Sequence, residues 1–271
     1  MSYFQAIFFG IIQGLTEFLP ISSTAHLLIG QQLLGLSSSP AMFSFLVLVQ
    51  LGTLVSLFVF YRHDLLAIMT AALDFRSFKK QGGMSLEAKL GWYILLATIP
   101  ALLAGYCLKD AVEAMFQAPM VQAPVRLFAA AILLTLAELV SKKNRQLVSM
   151  TWRDALIIGV FQVIAVFPGA SRSGTTISGG LFCGFDRLAA ARFAFLMSVP
   201  VMLAAGVYEM LDVLRMPDMI ELLPTIAIGF VVSAVVGWLA VKWLIHYLSG
   251  HSLYLFAGYC AAAGLLTILL A

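Results

Sequence analysis

The sequence predicts an all-α protein that crosses a membrane several times and consists of two halves forming an inverted repeat. The chain is 62% hydrophobic and 11% charged, whereas a soluble domain carries roughly 25% charged residues. Six apolar segments are long enough to cross a bilayer, and two further apolar stretches are broken in the middle by short polar segments. Landmark residues of the first half recur in the second half at a nearly constant offset.

A transmembrane helix needs about 20 apolar residues. We place six such helices at 43–61, 91–108, 122–140, 190–212, 220–245 and 252–270. The three cysteines stand alone in apolar runs and predict neither a zinc site nor a disulfide framework. The net charge of +3 is scattered. It forms no basic stripe of the kind that nucleic acid binding requires, so we expect no nucleic acid partner.

Two more apolar stretches, 3–36 and 153–186, are each interrupted at the middle by proline and small polar residues. We interpret each as two short helices joined by a loop that enters the membrane and returns. Irregular backbone at membrane depth is tolerated only where it is buried in protein or lines a wet cavity. Both stretches are therefore expected to lie inside the protein.

The two interrupting segments resemble each other. One is Pro-Ile-Ser-Ser-Thr-Ala-His from Pro20 to His26, and the other is Pro-Gly-Ala-Ser-Arg-Ser-Gly-Thr-Thr from Pro168 to Thr176. The second carries Arg172 among residues that should lie in lipid. A charge at that depth costs between roughly 2.5 and 17 kcal/mol depending on the method, so a functional role is the default interpretation.

The distribution of basic residues predicts the orientation of the chain. Twelve of the sixteen lysines and arginines are assigned to one side, which the positive-inside rule makes cytoplasmic, and both chain ends are then outside. The opposite side is assigned Lys109, Arg126 and Arg215. The first basic residue is Arg62, so we expect no cleavable signal peptide.

The repeat rests on three landmarks. The pairs are Gly10 and Gly159, Pro20 and Pro168, and Phe43–Leu46 and Phe193–Leu196, at offsets of 149, 148 and 150 residues. We predict one membrane domain over 1–271, with repeats at about 1–140 and 150–271. Each half would hold one re-entrant hairpin and three transmembrane helices. Because three is odd, the second half would be inverted, which brings the two polar loops together near the midplane.

The first loop offers groups for proton transfer and attack. Gln13 and Glu17 share a helix face that leads to the loop. The run Ser22-Ser23-Thr24 followed by His26 places hydroxyl nucleophiles near a base. Glu17 could act as a general base, polarise a water or bind a divalent cation, or it could only pair with Arg172. The hydroxyls could instead only cap a short helix.

The second loop is suited to holding phosphate. Gly169 and Gly174 would allow unusual backbone angles and close approach of a ligand. Arg172 has a planar fork that matches phosphate oxygens. The further donors are Ser171, Ser173, Thr175 and Thr176. The loop lacks the ending of a Walker A motif.

These residues resemble those of the bacterial undecaprenyl pyrophosphate phosphatases, the membrane enzymes linked to bacitracin resistance. The segment from Gln13 to His26 matches that family's first motif, in which a Glu or Gln stands four residues before a Glu. The segment from Pro168 to Thr176 matches its PGxSRSxxT motif. The resemblance covers essentially the whole chain.

The resemblance implies removal of the terminal phosphate of undecaprenyl diphosphate at the outer, periplasmic face of the cytoplasmic (inner) membrane. It implies catalytic roles for Glu17, Ser23, His26 and Arg172, and a divalent cation, Mg²⁺ or Ca²⁺, for which Glu17 is the candidate ligand. Some members have a second glutamate where this chain has Gln13. The oligomeric state stays open, with a homodimer as one option.

Two rival functions follow from the same features. Inverted repeats that meet at the midplane are typical of secondary transporters, so the protein could carry or flip a lipid phosphate. A pure carrier would not need the cluster of Glu17, Ser23 and His26. The type-2 phosphatidic-acid phosphatases are a third alternative, but their motif requires a histidine soon after the arginine, and none follows Arg172 closely.

Overall fold

The computed structural model describes residues 1–37, 39–74, 84–108, 119–167, 170–213 and 219–270. These residues form eleven α-helices and one short 3₁₀ helix, Leu147–Ser149. The first six are α1 Tyr3–Phe18, α2 Ser23–Leu33, α3 Pro40–Phe60, α4 Arg62–Leu73, α5 Leu86–Cys107 and α6 Pro119–Val140. The other five are α7 Trp152–Ile164, α8 Arg172–Phe182, α9 Arg187–Val213, α10 Met219–Leu248 and α11 Tyr254–Leu270.

All six predicted transmembrane segments are helices. Five described helices are long and apolar enough to cross a membrane, and they correspond to α3, α5, α6, α9 and α10. The sixth, α11, is apolar but has 17 residues, at the lower end of the spanning range. The chain is therefore a polytopic, all-α membrane protein.

Two parts of the prediction differ from the structure. The segment 62–89 lies between two predicted transmembrane helices and no helix is predicted in it, but its first twelve residues form α4, which packs against α5. Arg126 was assigned to the outer aqueous side, but it lies within α6 and is only 9% exposed. A count of charges cannot detect either feature, because both depend on which helix surfaces are covered by neighbours.

The order of helices repeats between the halves. A pair of short helices, α1 and α2, precedes the long α3, and a second short pair, α7 and α8, precedes the long α9. In the first half α1 packs against α10, and in the second α7 packs against α5. The inverted orientation of the two halves stays a prediction.

The landmark glycines allow the two contacts between halves. A Cβ added to Gly10 would lie 2.8 Å from the carbonyl oxygen of Gly229 on α10, and one added to Gly159 would lie 2.5 Å from that of Ala97 on α5. Without side chains the backbones can approach closely, as is usual for helices packed within membranes. The first short helix of each half thus lies against a long helix of the other half.

Helix α8 is buried along nearly its whole length, from Ser173 to Leu181. It packs against α6, α7 and α9. Its small residues permit this, because a Cβ at Gly179 would meet the Phe161 ring at 2.9 Å and one at Gly180 would meet Ala190 at 2.7 Å. The C-terminal half of α8 is thereby packed closely against its neighbours in the interior.

Candidate active site

The site lies where the two predicted polar segments meet. Glu17, in the last turn of α1, forms an ion pair with Arg172, the first residue of α8. The Glu17 side chain is 4% exposed and that of Arg172 is 18% exposed. A charge buried this far is strongly destabilising without a partner, so the pair holds the two segments against each other.

Glu17 accepts hydrogen bonds from three further side chains. Gln13 Nε2 and Ser23 Oγ donate to the same carboxylate oxygen, at 2.7 and 2.8 Å. Gln50 of α3 donates to the other oxygen at 3.4 Å. Gln50 is not among the residues predicted for the site, although an amide inside an apolar span is a signal that could have identified it.

Ser23 is the first residue of α2, so the irregular backbone of the first segment is shorter than predicted. The turn is closed by Ser22, whose φ of 69° lies in the left-handed region that disfavours residues other than glycine. The Ser22 hydroxyl accepts a hydrogen bond from the backbone of Ala25 at 3.3 Å and caps α2. This conformation places the Ser23 hydroxyl beside Glu17 and leaves Thr24 half-buried on the same turn.

His26 is oriented by both of its ring nitrogens. Nδ1 lies 2.8 Å from the carbonyl oxygen of Ser22, and Nε2 lies 2.8 Å from the hydroxyl of Tyr259 on α11. A carbonyl can only accept, so Nδ1 carries the proton and, in the neutral ring, Nε2 accepts from Tyr259. The two rings also stack, with centroids 5.6 Å apart. Tyr259 is not among the residues predicted for the site, because nothing in the sequence distinguishes it from other aromatic residues of its helix.

The prediction that His26 activates Ser23 is not the arrangement found here. The acceptor of the Ser23 hydroxyl is Glu17, whereas the ring of His26 contacts Ser22 and Tyr259. Sequence spacing suggested a serine and a histidine on one turn. The carboxylate of the preceding helix lies closer to the hydroxyl.

The hydroxyls of the second segment serve mainly to build the site. Ser171 Oγ accepts the backbone N–H of Gly174 at 3.0 Å and caps α8. Ser173 Oγ donates to the carbonyl of Leu19 at 3.0 Å and so joins the second segment to the first. The hydroxyls of Thr175 and Thr176 both donate to the carbonyl oxygen of Arg172, at 3.0 and 2.7 Å.

The two predicted glycines have different outcomes. Gly174 lies inside α8, and the described glycines with positive φ are Gly35 and Gly184, so the expectation of an unusual backbone angle at Gly174 is wrong. The missing side chain of Gly174 instead allows close packing, because an added Cβ would lie 3.0 Å from Ser171 Oγ. Gly169 lies outside the described residues.

The described residues contain no group of three His, Cys, Asp or Glu side chains that could hold a metal ion. The carboxylate available at the site is that of Glu17, already engaged by Arg172 and three neutral donors. Magnesium, however, is commonly held by one or two carboxylates together with substrate phosphates. The residues fit a cation that binds with a phosphorylated ligand and do not form a closed protein cage.

Comparison with known proteins shows the family of the chain. Residues 6–266 match the family model described as "Bacitracin resistance protein BacA". A protein of Anaeromyxobacter dehalogenans (strain 2CP-1) is 43% identical over 97% of this chain and 90% of its own length. A protein of Chloroherpeton thalassium is 40% identical over 96% and 93%, and one of Mycobacterium ulcerans is 36% identical over 100% and 97%. All three carry the name undecaprenyl-diphosphatase. The chain belongs to the BacA family of bacitracin resistance proteins.

Proposed function

We propose that this protein is an undecaprenyl-diphosphatase, an integral membrane enzyme that removes the terminal phosphate of undecaprenyl diphosphate. The products are undecaprenyl phosphate, the lipid carrier reused in cell-wall synthesis, and inorganic phosphate. The observation that carries the proposal is the Glu17–Arg172 pair beside the Ser23 hydroxyl. It combines a phosphate-binding cation, a proton acceptor and a nucleophile in one buried site. The printed names of the relatives support the same activity.

The first proposed step is an exchange of partners. Guanidinium groups bind phosphate oxygens through two parallel hydrogen bonds. When the diphosphate arrives, Arg172 turns part of its donor fork from Glu17 to the terminal phosphate. The N-termini of α2 and α8 add positive potential at the same place. Glu17 then no longer shares its charge with the guanidinium and is free to accept a proton.

The second step is the attack. Ser23 Oγ attacks the terminal phosphorus, and its proton passes to Glu17, which lies 2.8 Å away. The bond from phosphorus to the bridging oxygen breaks, and undecaprenyl phosphate leaves with that oxygen. Water then cleaves the phosphoseryl bond, with His26 as the group that moves the proton. A water positioned by Ser23 that attacks directly is the alternative, and both routes use the same residues.

A divalent cation, Mg²⁺ or Ca²⁺, is part of the proposal, with Glu17 as the protein ligand and the diphosphate supplying the other oxygens. Its chemistry would be the neutralisation of phosphate charge. We also propose that the site opens to the periplasmic face of the inner membrane, with both chain ends on that side. A homodimer stays untested.

The function is tested by phosphate release from undecaprenyl diphosphate by purified protein in detergent micelles. No membrane gradient exists there, so a pure lipid carrier would release none. Assays after chelation, and after adding back Mg²⁺ or Ca²⁺, test the cation separately. Arg172→Ala is the matched inactive control. Lipid movement in liposomes without phosphate release would instead support the carrier alternative.

A further inference from the structure

Gln50 is a polar side chain in a long apolar helix, and no step of the proposed reaction uses it. The residue lies in α3, within the apolar span Ala41–Phe60, and is half-buried. Its Nε2 donates a hydrogen bond to Glu17 Oε1 of α1 at 3.4 Å. Polar groups inside a membrane span are costly and usually functional, so this contact is the place to look for the role of Gln50.

Packing of α3 against α10 fixes the position of Gln50. Ser233 Oγ of α10 donates to the carbonyl oxygen of Val49, the residue before Gln50, at 2.7 Å. A Cβ added to Gly52, two residues after Gln50, would collide with the carbonyl oxygen of Phe230 on α10. The backbone on both sides of Gln50 therefore contacts α10, and this packing by itself sets the place of the amide.

Helix α1 is fixed against the same helix. A Cβ added to Gly14, three residues before Glu17, would lie 2.7 Å from the Cβ of Val236 and 2.9 Å from the backbone nitrogen of Gly237 on α10. Helices α1, α3 and α10 all pack against one another, whereas the main contacts of α8 are with α6, α7 and α9. The helices that carry Glu17 and Gln50 therefore form one packed unit to which α8 does not belong.

The four donors to Glu17 divide evenly between its two oxygens. Gln13 and Ser23 donate to Oε2, at 2.7 and 2.8 Å. Arg172 and Gln50 donate to Oε1. An ionised carboxylate offers about four acceptor positions, so these donors fill it. The Gln50 contact is about 0.5 Å longer than a usual N–H···O bond, as expected where a guanidinium already occupies the same oxygen.

We propose that Gln50 is a positioning residue that holds Glu17 in place while Arg172 binds phosphate. This inference rests on the proposed function. When Arg172 turns to the terminal phosphate, Oε1 loses its charged donor and keeps the hydrogen bond from Gln50. Without that bond the carboxylate would be free to rotate and to move Oε2 away from the Ser23 hydroxyl, whose proton it accepts. A misplacement of about 1 Å at a reacting group can cost about a hundredfold in rate.

The first test separates positioning from substrate binding. Gln50→Met keeps the length of the side chain and removes its amide. We expect kcat for phosphate release from undecaprenyl diphosphate to fall about tenfold, the loss typical of a hydrogen bond to a charged group. We expect KM to stay within about twofold, because the contact of Gln50 is to Glu17 and not to the substrate. Gln32→Met, the same change at an exposed position of α2, is the control and should behave as wild type.

The second test does not depend on activity. In wild type, Gln50→Met should lower the unfolding temperature in detergent only slightly, because Arg172 still donates to Oε1. In an Arg172→Met background, the same change removes the donor that remains on that oxygen among the described residues. The unfolding temperature should then fall at least about twice as much. Gln32→Met should have the same small effect in both backgrounds. If Arg172→Met does not fold, the kinetic comparison still decides.

Four outcomes would overturn the inference. Unchanged kcat would show that Glu17 keeps its place without Gln50. A rise in KM with kcat unchanged would make Gln50 a ligand of the substrate. A higher Mg²⁺ requirement, with kcat restored at saturating Mg²⁺, would make it a ligand of the cation. Equal losses of stability in the two backgrounds would show that Gln50 does not replace Arg172 as a partner of Glu17.

Failure of the proposed function gives a different result. A wild-type protein that releases no phosphate would contradict that function. A larger stability loss from Gln50→Met in the Arg172→Met background would still support the contact by which Gln50 holds Glu17.

Discussion

The Arg172 guanidinium of α8 forms an ion pair with the Glu17 carboxylate of α1, although the two residues are 155 positions apart in the chain. The pair joins the two short-helix hairpins at their inner ends. It also keeps both charges compensated, and in the proposed reaction a phosphate replaces the carboxylate as the partner of Arg172. The contact therefore stabilises the free protein, and in the proposed reaction it is exchanged for a contact between Arg172 and phosphate.

Replacing one partner of the Glu17–Arg172 pair should lower both stability and activity, and replacing both partners should separate the two effects. Arg172→Gln leaves Glu17 buried without its counter-charge, and we expect destabilisation of about 3–5 kcal/mol. The double variant Glu17→Gln with Arg172→Gln removes both charges, so it should recover most of the stability but none of the activity. Unfolding in detergent and phosphate release measure the two effects. A double variant as unstable as the single one would contradict the pairing argument.

The nucleophile is tested by Ser23→Ala. Because Ser23 donates directly to Glu17, we expect phosphate release to fall by at least about a hundredfold, as when a group that transfers a proton in the reaction is lost. Acid quenching with labelled substrate should trap phosphoserine in wild type. Ser39→Ala, which removes a serine hydroxyl at the start of α3, is the matched control for the loss of a hydroxyl at a helix N-terminus. A Ser23→Ala enzyme that keeps most of its turnover would eliminate the nucleophilic role.

Tyr259 should act by positioning His26. Tyr259→Phe keeps the stacked ring but removes the hydroxyl that lies 2.8 Å from Nε2. The loss of one neutral hydrogen bond is about 0.5–1.5 kcal/mol, so kcat should fall about two- to tenfold with KM unchanged, and the pH profile of kcat should shift. Tyr254→Phe on the same helix is the control. Equal effects of both substitutions would assign Tyr259 a merely structural role.

Glu138 should be a stabilising residue without a part in the chemistry. Its carboxylate accepts from Arg187 at 2.6 and 2.7 Å and from the backbone of Leu253 at 2.8 Å, which joins α6, α9 and the start of α11. Glu138→Ala removes the carboxylate partner of Arg187, and we expect a loss of about 3–5 kcal/mol in stability. Activity per folded molecule should be retained. Glu87→Ala, at an exposed position, is the control. An equal loss of stability in Glu87→Ala and Glu138→Ala would contradict the stabilising role of Glu138.

The Arg145–Asp154 pair predicts a pH dependence outside the five long spans. Burial acts to raise the pKa of Asp154, but hydrogen bonds from Arg145 and Thr151 outweigh it and leave that pKa below its ordinary value. A carboxyl group with a lowered folded-state pKa adds stability above its unfolded pKa of about 3.9 and loses it as the pH falls further. Wild type should therefore lose stability below about pH 4 more steeply than Asp154→Asn. If the melting temperatures of wild type and Asp154→Asn fell in parallel from pH 7 to pH 3, this prediction would be contradicted.

The number and positions of the long helices could be predicted from the sequence, because the length of an apolar run decides whether it can cross a bilayer. Glu17, Ser23 and Arg172 could also be singled out from the sequence, since they are polar groups where polar groups are costly, and the structure brings them together. Helix α4 escaped prediction because a short helix covered by a neighbour has no distinctive sequence pattern.

The sequence by itself determined the membrane class, the paired polar segments and the types of chemical group available. Only the tertiary structure decided their partners. It directs the Ser23 hydroxyl to Glu17 and not to His26, and it brings Gln50 and Tyr259 into contact with residues of the site. The physical reason is that hydrophobic patterns act along one helix, whereas each of these contacts joins helices distant in sequence and depends on how closely their backbones pack.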